Sequence, residues 1–284
     1  PGNAPANPEL KELSGLTRSL RTDDWLWGHN DSGDTPRLFR VGLDGGDGGS
    51  VEVPDTIAID WEDIATLRWQ GQPALLIGDI GDNSAHRKAI TLYAVQDPGA
   101  RGDRAPLLWQ LNVRYPDGPR DAEGLAVDPL DGSILILSKR QRPPVIYRVA
   151  MPSAAPQPGS VTMAERIGPV LHLPAPTAID LSEDPLYGLL RDWPTALDIA
   201  PDGLSAIVTT YKDAYRYVRK ASEPWAEAFA RTPQRIDLPQ WKQTEAGAYT
   251  ADGLHFCAGS EQRAGFACTP LASERDSSTG RTFP

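Results

Sequence analysis

Five short segments of this chain place an oxygen-bearing side chain just ahead of an apolar run. They read Leu13-Ser14-Gly15-Leu16, Asp60-Trp61-Glu62-Asp63-Ile64, Asp121-Ala122-Glu123-Gly124-Leu125, Pro194-Thr195-Ala196-Leu197-Asp198 and Thr244-Glu245-Ala246-Gly247. Aligned on the turns that follow, the shared position holds Ser14, Glu62, Glu123, Thr195 and Glu245. Three carboxylates and two hydroxyls form a hard, all-oxygen donor set, with Asp60 and Asp121 as further oxygens close behind. Such a set suits Ca²⁺, suits Mg²⁺ less well, and does not suit a thiophilic metal. Brought together without a cation, the carboxylates would repel one another and some would hold on to protons. The alternative is a set of solvated residues tied to neighbouring backbone groups along a central channel.

Other residues could act beside this set. Asp31 and Asp79 each end an apolar run, which is the expectation for a residue lining a face. Asp34 and Asp82 sit among Gly and Asn, where Asp favours turns for its own backbone reasons. Lys139, Arg140 and Lys212 are the local positive charge that an anionic ligand needs, or else partners of those aspartates. Trp61 and Trp193 could line a cleft or simply pack. The four histidines, His29, His86, His172 and His255, show no zinc-ligand spacing. No P-loop, dinucleotide fingerprint or Ser-His-Asp order is present.

The elements that must position these residues repeat as well. Asp131-Gly132, Asp202-Gly203 and Asp252-Gly253 are hairpin turns between apolar runs. Second strands follow at Trp25-Leu26-Trp27, Ala74 to Ile77, Ile134 to Leu137, Ala206 to Val208 and Leu254 to Phe256. Third strands rhyme at Leu38 to Val41, Leu92 to Val95, Ile146 to Val149 and Tyr215 to Val218. Fourth strands are expected at Ser50 to Val53, Leu108 to Val113, Arg166 to Leu173 and Gln234 to Leu238. The shared positions lie 48 residues apart from Ser14 to Glu62, then 61, 72 and 50 to Glu245. A four-stranded unit at this period is the blade of an all-β, five-bladed β-propeller.

The expected domain is single and spans 1–284, with 8–13 supplying the closing strand of the last blade and 276–284 a mobile tail. Thr177 to Asp192 reads as an inserted short helix or lid, and Ser222 to Arg231 as another short helix. In such a meander the first strand starts and the second ends at one edge of the sheet. The shared positions and the loops at His29 to Asp34, Gly78 to Asn83, Ser138 to Arg140 and Tyr211 to Asp213 therefore fall on one face.

Composition narrows the function classes. The 284 residues carry 28 Lys and Arg against 38 Asp and Glu, a net charge of −10, which argues against a nucleic-acid partner. No apolar run approaches the length of a membrane span. Cys257 and Cys268 flank a hairpin turn, close enough for a disulfide, although two reduced buried thiols fit the sequence as well. A bridge would favour an oxidising location, extracellular or periplasmic, with a leader removed ahead of Pro1.

The run Glu12-Leu13-Ser14 together with Ala122-Glu123 and Glu245 resembles the calcium-activated nucleotidases, the apyrase family of five-bladed propellers. The resemblance implies a central Ca²⁺ held by Ser14, Glu62, Glu123, Thr195 and Glu245, with Thr195 where that family has Ser. It implies that Asn30-Asp31 matches the acidic pair that activates water, making Asp31 the general base. Gly78 to Asp82 resembles the family's glycine-rich loop, and Lys139, Arg140 and Lys212 its phosphate-gripping residues. Ser32 stands where the family has Arg. The function expected from all of this is calcium-dependent hydrolysis of a phosphate-containing or other small anionic molecule. A non-catalytic propeller that binds a protein or glycan, and a lactonase or esterase, are the alternatives.

Overall fold

Strand-forming apolar runs separated by Gly-containing turns have only one way to bury both faces of many small sheets: the sheets must stack on one another. A computed structural model describes residues 4–262 and 265–271, and in it these runs build five small antiparallel sheets in a ring. Blade 1 comprises β1 (Leu13–Arg18), β2 (Trp25–Asn30), β3 (Arg37–Gly42) and β4 (Asp47–Glu52). Blade 2 comprises β5 (Trp61–Trp69), β6 (Gln72–Asp79), β7 (Ile90–Gln96) and β8 (Leu107–Arg114). Blade 3 begins with β9 (Ala122–Val127), β10 (Ile134–Ser138) and β11 (Val145–Val149). The chain then adds β12 (Val161–Met163) in parallel to the outer edge of blade 2, and β13 (Glu165–Pro169) to the outer edge of blade 3. Two strand edges are covered by one crossing.

Blade 4 holds β14 (Pro194–Ile199), β15 (Ser205–Thr210), β16 (Ala214–Val218) and β17 (Gln234–Ile236), and blade 5 holds β18 (Thr244–Tyr249), β19 (His255–Ser260) and β20 (Phe266–Pro270). Two short helices interrupt the pattern where the sequence suggests them, α1 (Ala178–Glu183) and α2 (Trp225–Ala228). The Thr177 and Asp180 side chains and backbone N–H groups bond reciprocally at the start of α1, a capping box that fixes the insertion's first turn. No helix among the described residues is long and apolar enough to cross a membrane.

The core is divided into five apolar clusters, one at each junction between neighbouring blades. Trp27, Val51 and Leu75 join blades 1 and 2, and Leu76, Trp109 and Tyr147 join blades 2 and 3. Leu135, Val208 and Phe229 join blades 3 and 4, while Ile207, Tyr249 and Phe256 join blades 4 and 5. Leu10, Leu16, Phe39, Ala246 and Phe266 complete the circle between blades 5 and 1. This last junction differs from the expected full closing strand at 8–13. Among the described residues, the N-terminal segment meets the last blade at the bridge Glu12–Glu261 and through the buried Leu10, and the fifth sheet has three strands. The reason lies in Asn30. Its side chain accepts from the backbone N–H of Lys11 and Glu12 at 2.9 and 3.0 Å and donates to the Glu9 carbonyl at 2.9 Å, using groups that a ladder would need. Cys257 and Cys268 are cross-strand partners in β19 and β20 and form a disulfide. The tail expected at 276–284 lies outside the described residues.

Candidate metal centre on the propeller axis

The innermost strands β1, β5, β9, β14 and β18 stand side by side around the axis. Each of them carries one irregularity at its second residue, where the pairing with the next strand skips a position. The skipped residues are Ser14, Glu62, Glu123, Thr195 and Glu245. A bulge leaves its extra residue outside the ladder and re-aims the side chain. The same device, repeated in every blade, puts all five residues at one end of the ring, and all five are buried.

The residue after each bulge is Gly15, Asp63, Gly124, Ala196 or Ala246. Small residues are needed because the inner strands crowd the axis: a Cβ on Gly124 would stand 2.8 Å from the Leu197 Cβ. Asp63, the exception, fills the space the others leave. Its carboxylate accepts the backbone N–H groups of Ile64, Leu125 and Leu197 at 2.9, 2.8 and 3.1 Å, tying blade 2 to blades 3 and 4. Farther along the axis Asp198 does the same for blade 5, accepting Tyr249 N–H at 2.8 Å beside the Arg18 guanidinium. Neither role was visible from residue type alone. For Asp63 the signal was the lone charged residue at a position that is otherwise Gly or Ala.

The two hydroxyls and three carboxylates of the ring are not equivalent. Ser14 Oγ donates to the Glu62 carbonyl at 2.8 Å and Thr195 Oγ1 to the Thr244 carbonyl at 2.9 Å, so both also stitch adjacent blades. Lys139, directly after β10, sends its ammonium into the ring and meets Glu123 Oε1 at 2.6 Å, over the Tyr211 ring. Burial works against that charge, yet Glu123 and Glu245 hold the Lys139 ammonium well above its usual range. Burial pushes Glu62 well up, with Glu123 and Asp31 adding to the shift. Glu245 is pushed well up by burial and, after the opposing Lys139, by Glu123. Burial takes Glu123 to about 7, against the pull of Lys139. Asp60 rises to about 6 through burial and the nearby Asp31 and Asp121.

Glu62 is the centre of this charge. Its carboxylate oxygens complete two triads, Asp31–Asp60–Glu62 and Glu62–Asp121–Glu123, each with ligand atoms within 4.8 Å of one another. Its side chain is buried, with 4% of the residue exposed, and takes no hydrogen bond or ion pair from any described residue. Buried acidic clusters of this kind could hold a metal ion, and the unpartnered carboxylate is the observation on which the donor set fits a hard cation.

The remaining expected residues fall in three places. Asp31 is partly exposed at the rim of the first triad, and its backbone N–H bonds the Glu12 carbonyl at 2.9 Å. Arg140 is also at the rim: Nε bonds Asp121 at 2.6 Å, Nη2 bonds Asn83, and the guanidinium lies over Trp193 at 4.8 Å. Asp79 instead is fully buried, accepting Ile59 N–H at 3.1 Å and pairing with Arg87 at 2.7 Å, so it braces the loop before β5. Lys212 is drawn under the insertion to Asp180 of α1 and does not join the triads. Asp82 caps the loop after β6 by accepting His86 and Arg87 N–H at 2.9 and 2.7 Å, as its turn-like setting suggests. Asp34 accepts Arg37 Nε at 2.9 Å.

No family model matches the chain, and no curated protein matches it. Among solved structures it is similar to the β-propeller domain of Cps50 (Swd1) from Myceliophteria thermophila, at 12% identity and a TM-score of 0.47, covering 99% of this chain and 72% of that one. A gluconolactonase from Xanthomonas campestris is similar at 9% identity and a TM-score of 0.48, covering 92% of this chain and 72% of that one. At these values neither likeness carries an argument about the chemistry here.

Proposed function

We propose that this propeller is an exported, calcium-dependent hydrolase of a small anionic molecule, with a phosphate ester or anhydride as the leading substrate class. The observation that carries the reading is the buried, unpartnered Glu62 carboxylate between two acidic triads, opening to solvent at Asp31. Ser14, Glu62, Glu123, Thr195 and Glu245, with Asp31, Asp60 and Asp121, are the oxygens from which Ca²⁺ would draw its ligands. A bound Ca²⁺ supplies charge neutralisation for a phosphoryl or carbonyl oxygen. Asp31, partly exposed and adjacent to that charge, takes the proton of the attacking water. Arg140 offers the anion a guanidinium whose Nη1 has no acceptor among the described residues and whose plane is fixed on Trp193. Lys139 stabilises charge from within the ring. The resemblance to the calcium-activated nucleotidases supports the same substrate class, and the disulfide supports an oxidising location.

A second reading has its own support. Ile57, Ile59 and Leu186 on loops and Ile179 on α1 are exposed, as they would be on a propeller that binds a protein and uses calcium structurally. A panel of nucleoside diphosphates, phosphomonoesters, lactones and carboxylic esters, assayed with Ca²⁺ and with chelator, separates the two. Calcium-dependent turnover reduced about a hundredfold or more in Asp31→Asn, at a calcium concentration that saturates the variant, supports hydrolysis. Turnover of no substrate, with a calcium-induced rise in melting temperature intact, would leave the binding reading.

A further inference from the structure

We infer that the divalent cation sits off the axis, between blades 1 and 2 on Asp31, Asp60 and Glu62, while the Lys139 ammonium occupies the axis itself as a tethered cation. This rests on the calcium reading above and narrows it. The five-residue ring expected to hold the metal already contains a cation, the Lys139 ammonium. Glu123 is paired with that ammonium at 2.6 Å, while the Ser14 and Thr195 hydroxyls donate their protons to neighbouring carbonyls and keep their lone pairs. In the inner triad the third member, Asp121, is held by Arg140 at 2.6 Å and by the Asp82 backbone N–H at 2.9 Å. Two of the three carboxylates there already have a cation each.

The outer triad has none. Asp31, Asp60 and Glu62 converge within 4.8 Å, and none of them makes an ion pair with a described residue. Glu62 is buried, has no hydrogen-bond or ion-pair partner among the described residues, and belongs to this triad as well as the other. The backbone confirms a cramped, shaped spot. Gly81 in the loop after β6 passes so close that a Cβ there would stand 2.1 Å from Glu62 Oε1 and 2.4 Å from Asp60 Oδ2. Only glycine lets the loop close one side of the triad, and the partly exposed Asp31 and Asp60 leave the other side open. Three carboxylates fill part of a Ca²⁺ shell of about 6–8 oxygens, so several positions remain for water or a ligand oxygen. The division of labour is electrostatic: the lysine neutralises the ring, and the exchangeable ion stands where solvent can reach it.

Calorimetric titration of the full chain with CaCl₂ tests this placement. The expected result is one ion per chain, with affinity weakened about tenfold or more in Asp60→Asn, Asp31→Asn and Gly81→Ala. Glu245→Gln, on the axis side only, should change it less than about threefold, and Lys139→Met should not weaken it. Thermal melts of each variant in chelator show whether it is folded, and the exposed-rim Asp31→Asn serves if Gly81→Ala is not. Loss of affinity in Glu245→Gln equal to or greater than that in Asp60→Asn would overturn the off-axis placement and return the ion to the ring. Absence of any calcium heat in the wild type would overturn the calcium reading as well, which is a different outcome.

Discussion

Carboxylates close together and short of cations respond to pH in a direction set by their own shifts. Asp60, ordinarily near 3.8, is raised to about 6 by burial and by Asp31 and Asp121. Glu123, ordinarily near 4.5, is raised to about 7 by burial, and Glu62 and Glu245 are raised as well. The folded chain therefore keeps protons that the unfolded chain has released between about pH 4 and 7. By linkage, stability of the metal-stripped protein falls as pH rises through that window. His29, whose buried ring is shifted below its usual range, pulls the other way, but it is one group against four. Urea unfolding of the metal-stripped protein should give a lower midpoint at pH 8 than at pH 5, and saturating Ca²⁺ should remove the difference. A midpoint that climbs over the same interval without metal would mean the cluster is not as strained as its geometry implies.

The inner strand is the element that does most with least sequence. Its second residue bulges out of the ladder, its third must be small or, in blade 2, must bridge the axis. Asp63→Ala removes the acceptor for two N–H groups on other blades, Leu125 and Leu197, and leaves both buried. The cost expected from two stranded donors and a lost charge-assisted network is about 3–5 kcal/mol. Equilibrium denaturation reads that loss, and a change below about 1 kcal/mol would show that the cross-axis bonds add little net stability. The blade pattern itself was legible because strand, turn and strand recur with Asp-Gly punctuation. The bulges were not, since a skipped ladder position leaves no mark on a single blade. Only the five-fold alignment of Ser14, Glu62, Glu123, Thr195 and Glu245 hinted at a common geometry.

At the scale of the molecule, a ring stands or falls on its last junction. Among the described residues, buried side chains carry much of that junction. Leu10 is 1% exposed and packs with Leu13, Leu16, Phe39 and Phe266 where blade 5 meets blade 1. Leu10→Ala should cost about 3 kcal/mol, the usual toll of a large cavity in a close-packed core. The same change at an outer-strand leucine that closes nothing should lower the melting temperature less. Equal effects in differential scanning calorimetry would show that closure is spread over the whole ring.

Residue order by itself determined the number of blades, the strands within them, the hairpin that carries the disulfide and the five positions that share one end of the axis. Those follow from local alternation, turn chemistry and period, all of which are written along the chain. Which of the gathered groups remain free was decided only in three dimensions. Lys139 and Glu123 find each other across 16 residues, and Lys212 is taken by Asp180 at a separation of 32. Asp79 is spent on a loop, and Glu62 is left without a hydrogen-bond or ion-pair partner among the described residues. Charge pairing depends on distances of a few ångströms between side chains brought in from different blades, and no spacing along a strand encodes that.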